Sequence, residues 1–372
     1  MINKAFKYRL YPTAKQKTLL QKHFGCTRLV YNLGLELKQL AYHQYGTNLS
    51  GFELINQLPE LKNEFTWLKE VNAQSLQASL KNLDTAFKRF YRGQNDFPKF
   101  KSKYRGKNSF TVPQHIKVED NQLNITKFRQ GIKMVIDRPH SGKIKNATIS
   151  RTPTGKYFVS LICEVDSELP EKPDITEDSI LGIDLGLKHF IVTSDGEKIE
   201  APQYLRKSQS KLKYLQRKYS KYKGKQTRQQ LAKQHEKIKN QRLDFIHKLS
   251  SRLVKSNQSI AIEDLNVKGM LKNHCLAKSI SDAGWSKFVG FLKYKADWYG
   301  TNLIKIGRFE PSSKVCSSCG SINDNLKLHD REWTCADCST EHDRDINAAQ
   351  NVKEFAFNSF SGTERQDGHQ LL

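Results

Sequence analysis

Apolar positions change period several times along the chain, and each change predicts a different element. KAFKYRL (4–10) alternates apolar and polar residues and ends at Tyr11-Pro12, which predicts a short strand. LLQKHFGCTRLVYNLGLELKQLAYHQYG (19–46) carries apolar residues at helical spacing, with Gly46 as a stop. NAQSLQASLKNLDTAFKRFYRG (72–93) predicts a second amphipathic helix whose stripe of Leu76, Leu80, Leu83, Phe87 and Phe90 is core packing. From 94 to 175, short segments such as FTV, GIKMVI and KYFVSLICEV alternate with Gly, Pro and Asn turns. The expectation is a β-rich domain whose first strand is the N-terminus, with the helical segment inserted after it.

The second half reads differently. SILGIDLGLKHFIVTSDG (179–196) predicts two strands and a turn, and 203–255 is helical throughout. NQSIAIEDL (257–265) returns to a strand, SDAGWSKFVGFLKYKADWYG (281–300) to a helix, and TNLIKIG (301–307) to a strand. The tail FNSFSGTERQDGHQLL (357–372) is polar and is expected to be disordered.

Charge narrows the partners. Against 62 Lys+Arg stand 38 Asp+Glu, a net charge of +24, so a polyanion is the expected partner. No apolar run approaches the 18–20 residues of a membrane span, and MINKAFKYRLYP lacks the apolar core of a secretion signal. Nucleic acid is therefore favoured over a membrane. Between Arg206 and Lys255 lie 17 Lys/Arg and two acids, Glu236 and Asp244. That segment is too lopsided for a plain solvated face, and Lys211, Arg217, Lys221 and Arg228 are its candidate phosphate contacts. Tyr204, Tyr214, Tyr219 and Tyr222 are interleaved with them and suited to stacking on bases.

Four of the seven cysteines form Cys316-x2-Cys319-x15-Cys335-x2-Cys338, the ligand count and spacing of a structural zinc ribbon. All four positions are sulfur, so no coordination site is left open for catalysis at zinc. Cys26, Cys163 and Cys275 stand alone and read as ordinary thiols.

Three carboxylates carry the chemistry. Asp184 lies in the apolar strand GIDLG, Glu263 ends the apolar strand IAIE, and Asp345 opens the helix DINAAQNVKEF. Singly each has a plain structural explanation: a turn former, a strand-end ion pair, an N-cap. Together they fit a site for two Mg²⁺ ions, which prefer carboxylate oxygen and keep water and phosphate oxygens as other ligands. Such a pair supports in-line phosphodiester cleavage, with metal-bound water rather than a histidine as the acid–base group. Asp343 precedes the apolar pattern and is the weaker candidate ligand.

GIDLG, IEDLNVKGM, SISDAGWSKF, the four-cysteine knuckle and HDRDINAAQN occur in that order, after KYRLYP, FGCTRLVYN and FPKFKSK. Over residues 1–352 the chain resembles the TnpB family, insertion-sequence RNA-guided endonucleases related to type V CRISPR effectors. The resemblance implies an α+β multidomain fold. A β-barrel wedge domain (1–12 and 94–175) would carry an inserted helical recognition domain (13–93). An RNase H-like RuvC nuclease domain (176–307 and 340–356) would carry a zinc-ribbon insert (308–339). It implies catalysis by Asp184, Glu263 and Asp345 with Mg²⁺, a guide RNA from the element end, and double-stranded target DNA cut beside a short adjacent motif. The region around Ser75, Gln77, Thr111 and Gln114 would read that motif, although Phe52 and Ala73 stand where polar or tyrosine contacts belong. A monomer is expected, in the prokaryotic cytoplasm and on the nucleoid when bound to DNA. The alternatives are a guided DNA-binding regulator without cleavage, against which the intact acids speak, and a transposase that joins DNA ends.

Overall fold

The computed structural model describes residues 1–104, 106–327 and 329–361. They divide into two compact units, residues 1–168 and residues 169 onward. Both mix helices with sheet.

In the first unit, β1 (Ile2–Leu10) is followed by α1 (Ala14–Tyr45), α2 (Gly51–Asn56), α3 (Leu58–Glu64) and α4 (Ala73–Tyr91). The strands β2 (Asn108–Val112), β3 (Lys117–Glu119), β4 (Gln122–Ile125), β5 (Phe128–Val135), β6 (Lys143–Arg151) and β7 (Tyr157–Val165) complete it. Thr13 caps α1 reciprocally with Gln16, and Gly46 at φ +64° ends it, so the helix starts earlier than its apolar pattern. Leu20 and Phe24 of α1 join the core of the sheet, while Val30, Tyr31 and Leu35 join a separate helical core with α4. One long helix thus ties the inserted helices to the sheet.

The sheet is a correction to the expected barrel. Its seven strands run β2-β6-β7-β1-β5-β4-β3 and form an open array. Among the described residues no pairing joins the two edges. β1 pairs with β7 along its whole length, from Ile2 opposite Val165 to Leu10 opposite Tyr157. On its other side it meets β5 only at Arg9 and Leu10, so the sheet's two flanks join through one short pairing. The edge strands, β2 and β3, have five and three residues.

The second unit holds β8 (Ile180–Asp184), β9 (His189–Thr193), β10 (Lys198–Glu200), α5 (Tyr204–Lys207), α6 (Gln209–Tyr222) and α7 (Lys225–Ser256). After these come β11 (Ser259–Glu263), α8 (Val267–Met270), α9 (Ala277–Ala283), α10 (Trp285–Tyr299) and β12 (Asn302–Ile306). The short pair β13 (Glu332–Thr334) and β14 (Glu341–Asp343) precedes α11 (Arg344–Ser361). The five-stranded sheet has the order β10-β9-β8-β11-β12, with β8, β11 and β12 parallel. Parallel strands covered on both faces read as continuous apolar runs, as ILGID and SIAIE do. Leu181, Ile183, Ile260 and Ile262 pack with Leu253, Phe288 and Leu292 of α7 and α10 on one face. Ile180, Ala261 and Ile304 pack with Val352 and Ala356 of α11 on the other. Residues 357–361, expected to belong to a disordered tail, continue α11; the rest of that tail lies outside the described residues.

Candidate metal and nucleic-acid sites

Strand parity determines where the first two acids go. β8 and β11 are in register from Ile180–Ser259 to Ile183–Ile262, so Asp184 and Glu263 occupy the next step. Side chains two apart share a face, so Asp184 follows Ile180 and Gly182, and Glu263 follows Ala261, onto the face covered by α11. Both acids therefore end adjacent parallel strands side by side, at the carboxyl edge where open α/β sheets bind ligands.

The third acid arrives on α11. Asp343 is that helix's cap: its Oδ1 accepts from the amides of Asp345 and Ile346, both at 3.1 Å. Its other oxygen pairs with Lys198. Asp345 is thereby left out of the cap and projects from the first turn. Gly182 explains how closely the helix lies on the sheet. A Cβ there would stand 2.1 Å from the Ala349 carbonyl oxygen and 2.8 Å from the Lys353 amide nitrogen, so only glycine admits this approach.

Burial pushes the Asp184 carboxyl up to about 7, and the charges of Glu263 and Asp345 push it the same way, against the pull of Arg344. Asp184 keeps part of its surface accessible at the strand end, yet its carboxyl is enclosed enough to favour the proton. Glu263 accepts a 2.6 Å hydrogen bond from the Ser312 hydroxyl. Asp345 pairs with Arg331 at 3.3 Å. An all-oxygen donor set with a surplus of negative charge suits a hard cation such as Mg²⁺.

The sulfurs of Cys316, Cys319, Cys335 and Cys338 all lie within 4.8 Å of one another. Cys316–Cys338 and Cys319–Cys335 are each 3.6 Å apart, close to the edge of a tetrahedron built on zinc–sulfur bonds of about 2.3 Å. The cluster fits a zinc site. Both knuckles turn alike: the Gly320 amide donates to Cys316, and the Ser339 amide to Cys335. Gly320 and Ser339 both have positive φ, +80° and +60°, immediately after the second cysteine of each pair. The ring of His342 lies 3.0 Å from the Cys316 sulfur and 4.8 Å from the Trp333 ring, closing the back of the cluster. The three acids are not drawn together as the sulfurs are: among the described residues they form no such tight group.

Sequence reasoning missed the residues that join the two centres. Asn347 is 1% exposed and Asn351 is fully buried, both on α11. Asn347 donates to the Val315 carbonyl and accepts from the Ser317 amide, at 2.7 and 2.9 Å. Asn351 donates to Ser312 and Val315. The loop leading into the first knuckle is thus tied to the helix bearing Asp345, and the same loop supplies Ser312 to Glu263. The signal was available: amides at i and i+4 inside an otherwise apolar helical face.

The nucleic-acid candidates divide. Lys211, Arg217 and Lys221 are exposed on α6 and Arg228 on α7, while Leu212 and Leu215 turn inward. Tyr214 and Tyr222 are each 61% exposed. In the first unit, Ser75 and Thr111 line one concavity with Arg28, Lys101 and Lys107. Ser75 itself is 1% exposed, its hydroxyl lacking a partner, so it is interior to that wall. Gln77 and Gln114 are exposed, and Gln114 accepts from Gln74.

Family models match residues 160–274 ("Probable transposase"), 285–352 ("Cas12f1-like, TNB domain") and 1–47 ("Helix-turn-helix domain"). The last stretch is a strand and one unbroken helix here, β1 and α1. A Streptomyces pristinaespiralis protein named "Putative RNA-guided DNA endonuclease" is 40% identical over 361 residues, covering 94% of this chain and 89% of its own. Its Escherichia coli K12 namesake InsQ is 31% identical over 373 residues, covering 94% and 91%. A solved structure of a Cas12f1–sgRNA–target DNA complex aligns over 95% of this chain and 99% of that one, at 15% identity and a TM-score of 0.38. The family models and the two curated relatives define the class, a protein of transposable elements. The chain belongs to the TnpB family, the RNA-guided endonucleases of insertion sequences.

Proposed function

We propose that the protein is an RNA-guided DNA endonuclease of a transposable element that hydrolyses phosphodiester bonds beside a short adjacent motif. One observation carries the reading: Asp184 and Glu263 end neighbouring parallel strands at one register step, on the face to which Gly182 admits the helix bearing Asp345. Asp184, Glu263 and Asp345 would hold two Mg²⁺ ions, which supply nucleophile activation and leaving-group stabilisation when bound. Ser312 fixes the rotamer of Glu263, and α11 fixes the origin of Asp345. Cys316, Cys319, Cys335 and Cys338 would hold one structural zinc.

The finer domain assignment belongs to the same proposal. Residues 1–12 and 94–175 act as the wedge, 13–93 as the recognition insert, 176–307 and 340–356 as the RuvC-like nuclease, and 308–339 as the zinc-ribbon insert. Ser75, Gln77, Thr111 and Gln114 mark the region that reads the motif duplex. Lys211, Arg217, Lys221 and Arg228 contact backbone phosphates. The working state is a monomer bound to one guide RNA and one DNA target, acting on the nucleoid of a prokaryotic cell. Among the described residues no helix is long and apolar enough to cross a membrane.

The test is purification with bound RNA, sequencing of that RNA, and cleavage of a matching duplex with Mg²⁺. Asp184→Ala should bind RNA and target normally and leave the duplex uncut. Normal cutting by that variant would remove the metal-site assignment. Guided binding by the wild type without Mg²⁺-dependent cleavage would favour the regulator reading.

A further inference from the structure

A cavity of about 610 Å³ in the second unit is lined by Lys188, Arg206, Lys278, Arg331 and Asp282 among others. Its charge balance is decided by who is already partnered. Asp282 is spent: it accepts from the amides of Leu205 and Arg206 and pairs with Arg242. Lys278 is held by the neutral amide of Gln209. Among the described residues the side chains of Lys188 and Arg206 have no partner, and both are exposed. Two unpartnered cations, Lys188 and Arg206, therefore face a space whose one acid is neutralised, with Lys278 and the Asp345-paired Arg331 lining it as well.

The cavity is linked to the acids through two of its lining residues. Lys188 lies four residues after Asp184, in the turn leaving β8. Arg331 lines the cavity and also pairs with Asp345. Unpartnered cations beside a neutralised acid give the cavity a positive potential that attracts a polyanion, and Arg331 connects it to Asp345.

We propose that this cavity seats backbone phosphates of the strand being cut, with Lys188 and Arg206 as the primary phosphate contacts. The inference rests on the nuclease reading and names the path by which substrate enters it. Lys188 and Arg206 are positioning residues: they place the scissile bond without touching it. Backbone contacts of this kind carry no base preference, so the cavity accepts any sequence once the guide has opened the duplex.

The test uses the RNA-loaded protein and a guided DNA duplex. A Lys188→Gln/Arg206→Gln double variant should bind target within about twofold of wild type. Its single-turnover cleavage should fall about tenfold, with a shallower dependence of rate on salt, since two phosphate contacts are gone. Lys188→Arg/Arg206→Lys should restore most of the rate, because charge and not shape is required. An unchanged rate and salt dependence would overturn the proposal. So would a parallel loss of guide-RNA or target binding, which would assign these residues to another groove. Wild-type and Asp184→Ala controls run alongside: if the wild type fails to cut, the nuclease reading fails instead.

Discussion

Gly182 on β8 and Ala349 on α11 are packed so closely that a methyl group on the first would lie 2.1 Å from the carbonyl oxygen of the second. The pair sets the distance between the sheet that carries Asp184 and the helix that carries Asp345. Gly182→Ala should force α11 outward. A displacement near 1 Å at a reacting centre costs on the order of 100-fold in rate. Overpacking should also lower stability by about 1–3 kcal/mol. Single-turnover cleavage and a thermal melt measure both effects. Wild-type values in both would show that the helix position is not set here.

Asp184 predicts how metal-free stability depends on pH. Its folded pKa is raised to about 7 by burial and by Glu263 and Asp345. The unfolded chain releases that proton near pH 4, so between about pH 4 and 7 the folded state holds more protons. Stability should be fullest at the acid end of this window and should fall as pH rises through it. Asp184→Asn should remove the slope and raise the melting temperature of metal-free protein at pH 8, by an amount worth about 2–4 kcal/mol. Melts at pH 5, 6, 7 and 8 with EDTA test the sign. A wild-type melting temperature that climbs over this window relative to Asp184→Asn would contradict it.

Ser312 donates to Glu263 from the loop that precedes the first cysteine knuckle. Ser312→Ala should leave the fold intact and weaken Mg²⁺ use, since hydrogen-bond partners of metal ligands are typically worth 10–100-fold in affinity or activity. The readout is the Mg²⁺ concentration giving half-maximal cleavage, which should rise. An unchanged Mg²⁺ titration would make Ser312 a loop-packing residue only.

Removing zinc should disarm the acids as well as unfold the knuckles. Asn347 and Asn351 fasten α11 to the Ser312–Ser317 segment. Cys335→Ser or a strong chelator should release about one zinc per chain, lower the melting temperature, and abolish cleavage at saturating Mg²⁺. Asn351→Ala should mimic part of this with zinc still bound, because it cuts the tie and spares the ligands. Buried amides of this sort are worth about 1–3 kcal/mol. Full activity in zinc-free protein would separate the two centres.

Much of the second unit is legible in its sequence because buried parallel strands advertise themselves as short apolar runs, and an acid at the end of such a run stands out. GIDLG and IAIED could be paired by eye, though nothing in them states that they are neighbours in register. The helix of Asp345 was legible too, but its cap was not: Asp343 and Asp345 are chemically alike, and only the fold shows which one the helix amides consume. Ser75 marks the region expected to read the motif duplex, yet its side chain lies with Ser79 on the buried stripe of α4. α2 and α3 fell below the length at which helical periodicity can be recognised. The barrel came from family resemblance, and whether the edge strands β2 and β3 pair to close it depends on strand number, tilt and shear that no local pattern encodes.

β1 holds the centre of the first unit's sheet, yet it is made well before its partner β7, which is complete only at Val165. During synthesis β1 must wait for about 155 residues, from Leu10 to Val165, before its long ladder can zip. At ribosomal rates of roughly 5–20 residues per second this is a delay of about 8–30 seconds. The helices α1 to α4 pack locally and can order within that interval, so the nascent chain should emerge as a helical body trailing an unpaired strand. Slowing translation ahead of β6 would lengthen the exposure of that edge, and aggregation of the unfinished chain would be the first symptom.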